Sequence, residues 1–120
     1  MFCYNENSTN KKGITMEDLI KRIREFRDQR EWSQFHTPEN LSKSIVIEAA
    51  ELLENFQWDG ESYDEQNVKE ELADVMNYCI LLADQLNIDI IQAMHDKIDK
   101  NALKYPVEKA KGTSKKYTEL

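Results

Sequence analysis

Two acidic pairs are the side chains of this sequence best suited to chemistry. They are Glu48 with Glu51, and Glu71 with Asp74, and each pair lies in a segment whose apolar spacing predicts a helix. A helix turns about 100° per residue, so acids three positions apart lie on one face. Neither pair has a Lys or Arg three or four residues away on its own helix. A divalent cation would relieve the cost of holding four such carboxylates beside an apolar stripe.

The two pairs also occupy matching positions on their helices. In both helices the first acid lies about 60° and the second about 120° from the centre of the apolar stripe. If the helices pack as neighbours, all four carboxylates converge on one cleft. The alternative is that the acids are solvated residues at the edge of the core, as acid-rich helix faces usually are. The matched positions and the absence of nearby cations favour the cleft.

The ligand types restrict the metal that such a cleft would hold. Carboxylate oxygens favour Mg²⁺, or Mn²⁺, over zinc. A di-iron bundle needs a Glu-x-x-His pair, and Gln92 stands where the acid would precede His95. The sequence has no Cys and His cluster for zinc and no Gly-rich phosphate loop. Carboxylates that hold Mg²⁺ without such a loop suit a phosphate substrate that is bridged through the metal.

Composition limits the possible partners. The net charge of −7 argues against binding to a nucleic acid polymer, although it does not exclude a nucleotide ligand. No apolar run is long enough to cross a membrane, and residues 1–13 show no signal-peptide pattern. Cys3 lies in a polar segment and Cys79 on an apolar stripe, so no disulfide framework is expected. A reducing, cytoplasmic setting is the simplest interpretation.

The elements that must position the acids are predicted to be helices throughout. The 120 residues include only three Gly and two Pro, which is typical of an all-α, four-helix bundle. We expect a flexible tail over residues 1–13, a helical domain over residues 14–106 and a Lys-rich tail over residues 107–120. One such bundle buries little apolar surface, so pairing with another copy is expected. The predicted helices cover residues 15–30, 37–57, 64–86 and 89–104, with Thr15, Thr37 and Asp89 at their N-termini.

Other side chains could bind the rest of a nucleotide. Lys97 and Asn101 are four residues apart and share a helix face, where they would hold a phosphate or a sugar. The alternative for these and the other C-terminal lysines is a solvated surface. Aromatic residues in the connectors offer a stacking surface for a flat ligand, although each could instead close the end of the bundle or satisfy a helix terminus. These residues are Trp32, Phe35, His36, Trp58 and Tyr105.

Four segments resemble one known family. They are WSQFHTPENL from Trp32 to Leu41, IEAAELLENFQW from Ile47 to Trp58, EELADVMNY from Glu70 to Tyr78, and the pattern Lys97-x-x-x-Asn101-x-x-Lys-Tyr-Pro106. They are similar to the MazG-like all-alpha nucleoside triphosphate pyrophosphohydrolases, and most similar to the dCTP pyrophosphatase-like branch. The resemblance covers about residues 14–120, and its acidic motif in the Phe-Gln-Trp context is specific.

The resemblance implies Mg²⁺-dependent cleavage of a nucleoside triphosphate to the monophosphate and pyrophosphate. Metal binding is carried onto Glu48, Glu51, Glu71 and Asp74. Glu48 and Glu51 are also expected to be catalytic, together with Glu54, which would be a further ligand or orient the water. The resemblance further implies a homodimer or a dimer of dimers with sites between subunits. The expected substrate-binding residues are Trp32, His36 and Trp58 for the base, Lys97, Asn101 and Tyr105 for phosphate or sugar, and Tyr78 beside the acids.

Three functions remain open from the sequence. The first is hydrolysis of dCTP or of a modified pyrimidine deoxynucleotide. The second is a broad-specificity or phosphoribosyl-nucleotide pyrophosphohydrolase. The third is a helical interaction module without catalysis, which would have no need for four converging carboxylates. The sequence does not choose the base.

Overall fold

The computed structural model describes residues 13–120, and every element in this range is a helix. The all-α prediction is therefore confirmed. The predicted tail over residues 1–13, with Cys3, lies outside the described residues except for Gly13. Within the described range, no helix is both long enough and apolar enough to cross a membrane. The helices are α1 (Met16–Gln29), a 3₁₀ helix (Trp32–Phe35), α2 (Pro38–Glu54), α3 (Glu65–Gln85), α4 (Ile90–Lys104), α5 (Val107–Ala110) and a second 3₁₀ helix (Tyr117–Glu119).

Short-range hydrogen bonds set where the helices begin. Thr15 and Asp18 form a reciprocal capping box at the start of α1, with distances of 2.9 and 3.1 Å. The Thr37 hydroxyl accepts from the Asn40 N–H at 3.1 Å, and Pro38 occupies the first helical position of α2. The side chains of Asp64 and Asp89 accept from backbone N–H groups in the same way at the starts of α3 and α4. All four starts lie within one residue of the predicted ones.

The end of α2 differs from the prediction. The helix ends at Glu54, whereas the sequence suggested about residue 57. The amide of Asn55 explains the earlier end, because its Nδ2 donates to the carbonyls of Glu51 and Leu52 at 3.3 and 3.2 Å. Its Oδ1 accepts from Asn67 Nδ2 of α3 at 2.6 Å. Asn55 therefore closes α2 and joins it to the first turn of α3.

The chain divides after Leu86 into two compact units. In the first unit, α2 and α3 form the most extensive helix pair, and α1 also packs against α3. The buried apolar side chains of the described residues are Leu41, Ile80 and Ala83. This small core agrees with the expectation that one chain buries little apolar surface.

An ion pair also joins α1 to α3. Arg27 is only 8% exposed, and its Nη1 donates to Asp84 Oδ2 at 2.5 Å. Arg24 donates to the other oxygen of Asp84, and Asp28 accepts from Arg27 Nε at 2.8 Å. A buried charge is costly unless it is paired, so Asp84 is what allows Arg27 to lie between the helices.

The second unit contains α4 and the Lys-rich C-terminal segment. The sequence suggested a tail over residues 107–120, and the structure forms α5 and a short 3₁₀ helix there. The rings of Tyr105 and Tyr117 meet edge to face, with centroids 6.0 Å apart. Lys104 Nζ lies 4.9 Å from the centroid of the Tyr117 ring. These contacts attach the final residues to the end of α4.

Candidate functional site

Three carboxylates from two helices converge in the first unit. Glu48 is on α2, and Glu71 and Asp74 lie three residues apart on α3. One carboxylate oxygen from each lies within 4.8 Å of the other two. This convergence requires α2 and α3 to be neighbours, which was the condition stated for the two acidic pairs.

The electrostatics of the acids show how unfavourable their proximity is without a counter-charge. Burial raises the pKa of Glu48 to about 7, with further contributions from a hydrogen bond and the charge of Glu51 and from the charges of Asp74 and Glu71. Burial and Glu51 raise the pKa of Glu71 as well. The Oε2 atoms of both Glu48 and Glu71 are buried and have no hydrogen-bond partner. Such buried, unpaired oxygens need either a proton or a cation.

The donor set fits a hard divalent cation. All three converging groups are carboxylates, which are the ligands that Mg²⁺ and Mn²⁺ prefer. A cation bound to these three carboxylates would offset the repulsion between them. The residues therefore fit the predicted metal.

The other two predicted acids of α2 differ from each other. Glu51 is half-buried, and its carboxylate lies close enough to influence both Glu48 and Glu71. It is outside the tightest group of three. Glu54 is the last residue of α2 and is exposed. The structure therefore brings Glu51 to the acids, and it leaves Glu54 at the helix end.

A cavity of about 490 Å³ lies beside the acids. Asp74 belongs both to its wall and to the carboxylate cluster, so the two adjoin at this residue. Its volume is within the range of small-molecule sites. The wall combines apolar side chains with a few polar ones: Leu19, Arg22, Ile23, Phe26, Arg27, Trp32, His36, Asp74, Asn77, Tyr78 and Leu81.

Three of the predicted substrate-binding residues line this cavity. Trp32 is 43% exposed and is in edge-to-face contact with Phe26. Tyr78 is half-buried and lies one helical turn after Asp74 on α3. His36 is half-buried, and its Nδ1 is buried without a hydrogen-bond partner. Burial, followed by the charge of Arg27, lowers the pKa of His36, so its imidazole is neutral at physiological pH.

The remaining predicted residues lie elsewhere. Trp58 is 89% exposed in the loop between α2 and α3 and is not part of the cavity wall. Lys97, Asn101 and Tyr105 belong to the second unit, on or just after α4, and all three are exposed. Their proposed contacts with phosphate or sugar stay predictions.

Sequence reasoning missed three polar residues of the cavity wall. These are Arg22, Arg27 and Asn77. The sequence holds a partial signal for Asn77, because it follows Asp74 by three residues and so shares a helix face with it. No local pattern identifies the two arginines, since α1 carries charged residues at many positions.

Comparisons with known proteins agree on one family. The profile of the MazG-like family matches residues 43–120. The chain is 40% identical over 115 residues to dCTP pyrophosphatase 1 from Homo sapiens, and the alignment covers 88% of this chain and 68% of that protein. The same protein from Mus musculus is 37% identical with the same coverage. A crystal structure of a pyrophosphatase from Archaeoglobus fulgidus superposes with a TM-score of 0.67 at 42% identity, covering 88% of this chain and 98% of that one.

Proposed function

The chain belongs to the MazG-like family, and we propose that it is a Mg²⁺-dependent pyrophosphohydrolase that cleaves dCTP to dCMP and pyrophosphate. Family membership and the named relatives agree on a nucleoside triphosphate pyrophosphohydrolase, which acts on an acid anhydride. The preference for dCTP, or for a modified pyrimidine deoxynucleotide, rests on the names of the mammalian relatives. The metal rests on the residues of the site.

One observation carries the proposal. Carboxylates from α2 and α3 converge within 4.8 Å, and two of their oxygens are buried and unpaired. Asp74 of the cluster also lines a cavity whose wall includes Trp32, Phe26 and Tyr78. A cation site that adjoins an aromatic pocket is the arrangement that a nucleoside triphosphate requires, because its phosphates need positive charge and its base needs a flat apolar surface.

The acids would hold the cation, with Glu48, Glu71 and Asp74 as ligands and Glu51 next to them. When bound, Mg²⁺ supplies the positive charge that lets a triphosphate approach these carboxylates and that polarises a phosphoryl oxygen. Asp74 belongs to both the cluster and the cavity, so the phosphates are expected at this end of the pocket. The base is then directed towards Trp32 at the α1 side.

The chain's own residues have two further tasks. Hydrolysis of the bond between the α- and β-phosphates takes a proton from water, and a Glu51 carboxylate oxygen is a suitable acceptor because it lies against the metal-binding acids. His36 lines the cavity, and its lowered pKa keeps the imidazole neutral, while its Nδ1 is buried. The uncharged ring can offer the base a flat surface without attracting the phosphates.

Self-association is part of the proposal. Helix α2 carries exposed apolar side chains: Val46, Ile47 and Leu53 are 68%, 56% and 67% exposed. Leu72 of α3 is 50% exposed, although its spacing from Val68 predicts that it lies on the apolar stripe of the helix. Apolar side chains this exposed on helices with a small core suit an interface between copies of the chain. A homodimer or a dimer of dimers would cover them.

A turnover panel tests the proposed function. Pyrophosphate release is measured with each common dNTP and NTP and with a phosphoribosyl nucleotide, in Mg²⁺ and in excess EDTA. We expect the highest kcat/KM with dCTP, no turnover in EDTA, and recovery with Mg²⁺ or Mn²⁺. Similar rates with all bases would indicate a broad-specificity enzyme. Activity in EDTA would contradict the metal, and inactivity with every nucleotide would favour the interaction module.

A further inference from the structure

An arginine at the end of α1 contacts the aromatic wall of the cavity. The guanidinium carbon of Arg30 lies 3.7 Å from the centroid of the Phe26 ring and 5.9 Å from that of the Trp32 ring. Arg30 Nη1 also donates to the backbone oxygen of Phe26 at 3.0 Å. The rings of Phe26 and Trp32 meet edge to face, with centroids 5.7 Å apart and planes at 76°. The three side chains form one contiguous stack.

The backbone between them is bent so that this stack can form. Residues six apart do not share a face of a continuous helix, so Trp32 would point away from Phe26 if α1 simply continued. Glu31 instead adopts a left-handed conformation, with φ 54° and ψ 34°. Its N–H donates to the Asp28 oxygen at 3.1 Å, and its oxygen accepts from Gln34 Nε2 at 2.9 Å. A left-handed backbone is unfavourable for a residue with a side chain, so these contacts maintain a costly turn.

The stack has one open side and one closed side. Phe26 and Trp32 line the cavity and are 50% and 43% exposed, so part of each ring is available to a ligand. Arg30 does not line the cavity. Half-exposed aromatic side chains change rotamer readily unless a neighbour holds them. Arg30 contacts the rings outside the cavity wall, where it restricts their orientation without touching what the cavity contains.

We propose that Arg30 is a positioning residue for the nucleobase. By stacking on Phe26 it fixes the ring against which Trp32 rests, and so keeps both aromatic surfaces in place before the ligand arrives. The ligand class, a flat heteroaromatic base, rests on the proposed function. Preorganisation of this kind lowers the cost of binding and leaves the chemical step unchanged.

Kinetics of Arg30→Met and Arg30→Lys test the proposal. Arg30→Met removes the charge and the planar guanidinium, and we expect KM for dCTP to rise about two- to fivefold with kcat unchanged, given the strength of an exposed cation–π contact. Arg30→Lys keeps a cation and should restore part of the loss. Lys21→Met removes the same charge from an exposed position of α1 that does not line the cavity, and it should leave KM unchanged.

A second measurement does not depend on turnover. The indole N–H signal of Trp32, identified by its loss in Trp32→Phe, is compared by NMR in the nucleotide-free protein and in Arg30→Met. We expect the signal to shift and broaden in the variant, while the Trp58 signal stays unchanged. An unchanged Trp32 signal, or an unchanged KM, would overturn the proposal, as would a lowered kcat at constant KM. If the unsubstituted protein hydrolyses no nucleotide, the proposed function fails and the indole signal still decides whether Arg30 holds Trp32. Should Arg30→Met not fold, Arg30→Gln, which also lacks the charge and the planar guanidinium, takes its place in both measurements.

Discussion

Glu48 of α2 and Glu71 of α3 each bury one carboxylate oxygen that has no hydrogen-bond partner, and the two groups offer ligand atoms within 4.8 Å. Two carboxylates at this distance repel each other unless one is protonated or a cation lies between them. The pair is therefore unfavourable for the folded chain alone and favourable for the metal-bound one. This difference is the basis of the first two predictions.

Glu48→Gln should abolish turnover and stabilise the metal-free protein. We expect kcat/KM to fall at least about 100-fold, because even residues that only support metal ligands contribute 10–100-fold. The melting temperature in EDTA should rise, since the amide relieves the repulsion with Glu71 and Asp74. Glu70→Gln is the matched control, because Glu70 is exposed and lies outside the cluster. A lower melting temperature in Glu48→Gln would instead assign the carboxylate a structural role.

The stability of the metal-free protein should fall as pH rises. The pKa of Glu48 is about 7 in the folded chain and near its ordinary value of 4.5 in the unfolded chain. Between these values the folded state binds more protons than the unfolded state, so the free energy of unfolding decreases as pH rises from about 4.5 to about 7. Mg²⁺ should therefore raise the melting temperature more at pH 8 than at pH 5. Melting curves in EDTA and in Mg²⁺ across this range test the effect, and Glu48→Gln should flatten it.

Asp84→Asn should destabilise the fold by about 2–3 kcal/mol at neutral pH, because it removes the less exposed of the two carboxylates that pair with the buried Arg27 guanidinium. Burial alone would raise the pKa of Asp84, but hydrogen bonds from Arg27 and Arg24 outweigh it and hold the pKa below its ordinary value. This contribution is present above pH 3.8 and is lost as pH falls through the lower, folded pKa. Urea unfolding should show the two proteins converging in acid.

The control for this prediction is Asp28→Asn. Asp28 also accepts from Arg27, but its side chain is 60% exposed, so its loss should cost less than about 1 kcal/mol. Equal losses of stability in the two variants would contradict this prediction. They would show that pairing with the Arg27 charge controls stability and that burial against Asp84 does not.

Features that depend on neighbouring residues could be predicted from the sequence. Thr15, Thr37 and Asp89 each cap a helix by bonding to a residue three positions ahead, so a short window contains all the information. The two acids of each pair share a helix face because they are three residues apart, which a short window of sequence also shows. Convergence of the pairs was a conditional prediction, because the positions of Glu48 and Glu71 on their own helices were known and the packing of α2 on α3 was not.

Features that depend on distant residues could not be predicted. Arg27 is buried because of Asp84, which is 57 residues further along the chain. The cavity wall combines α1, the first 3₁₀ helix and α3, and its polar members cannot be identified before these are packed. Leu72 was placed on the apolar stripe of α3 and is half exposed, whereas Ile80 and Ala83, to one side of that stripe, are buried. Because α3 packs against both α1 and α2, its own apolar stripe does not decide alone which of its residues are buried.

Trp32→Ala should weaken nucleotide binding and preserve the chemical step. Trp32 lines the cavity and lies outside the carboxylate cluster. We expect KM to rise about 5- to 150-fold, which corresponds to the 1–3 kcal/mol of a base-stacking contact, with kcat retained at saturation. Steady-state kinetics measure both constants. An unchanged KM with a collapsed kcat would mean that Trp32 serves the catalytic geometry and not the base.

The final prediction concerns how Trp58 contributes. Trp32 and Trp58 flank α2 at its two ends, and a helix of 17 residues spans roughly 25 Å, too far for both to enclose one base. If Trp58 contacts substrate, it does so in the site of a neighbouring copy. Leu53→Glu places a charge on the exposed apolar face of α2 and should give monomers by sedimentation velocity. Gln57→Glu adds the same charge at an exposed polar position and should leave assembly unchanged. Trp58→Ala should then raise KM in the assembled protein and have no further effect in the Leu53→Glu monomer. A monomer with full activity and an unchanged KM would show that each chain completes its own site.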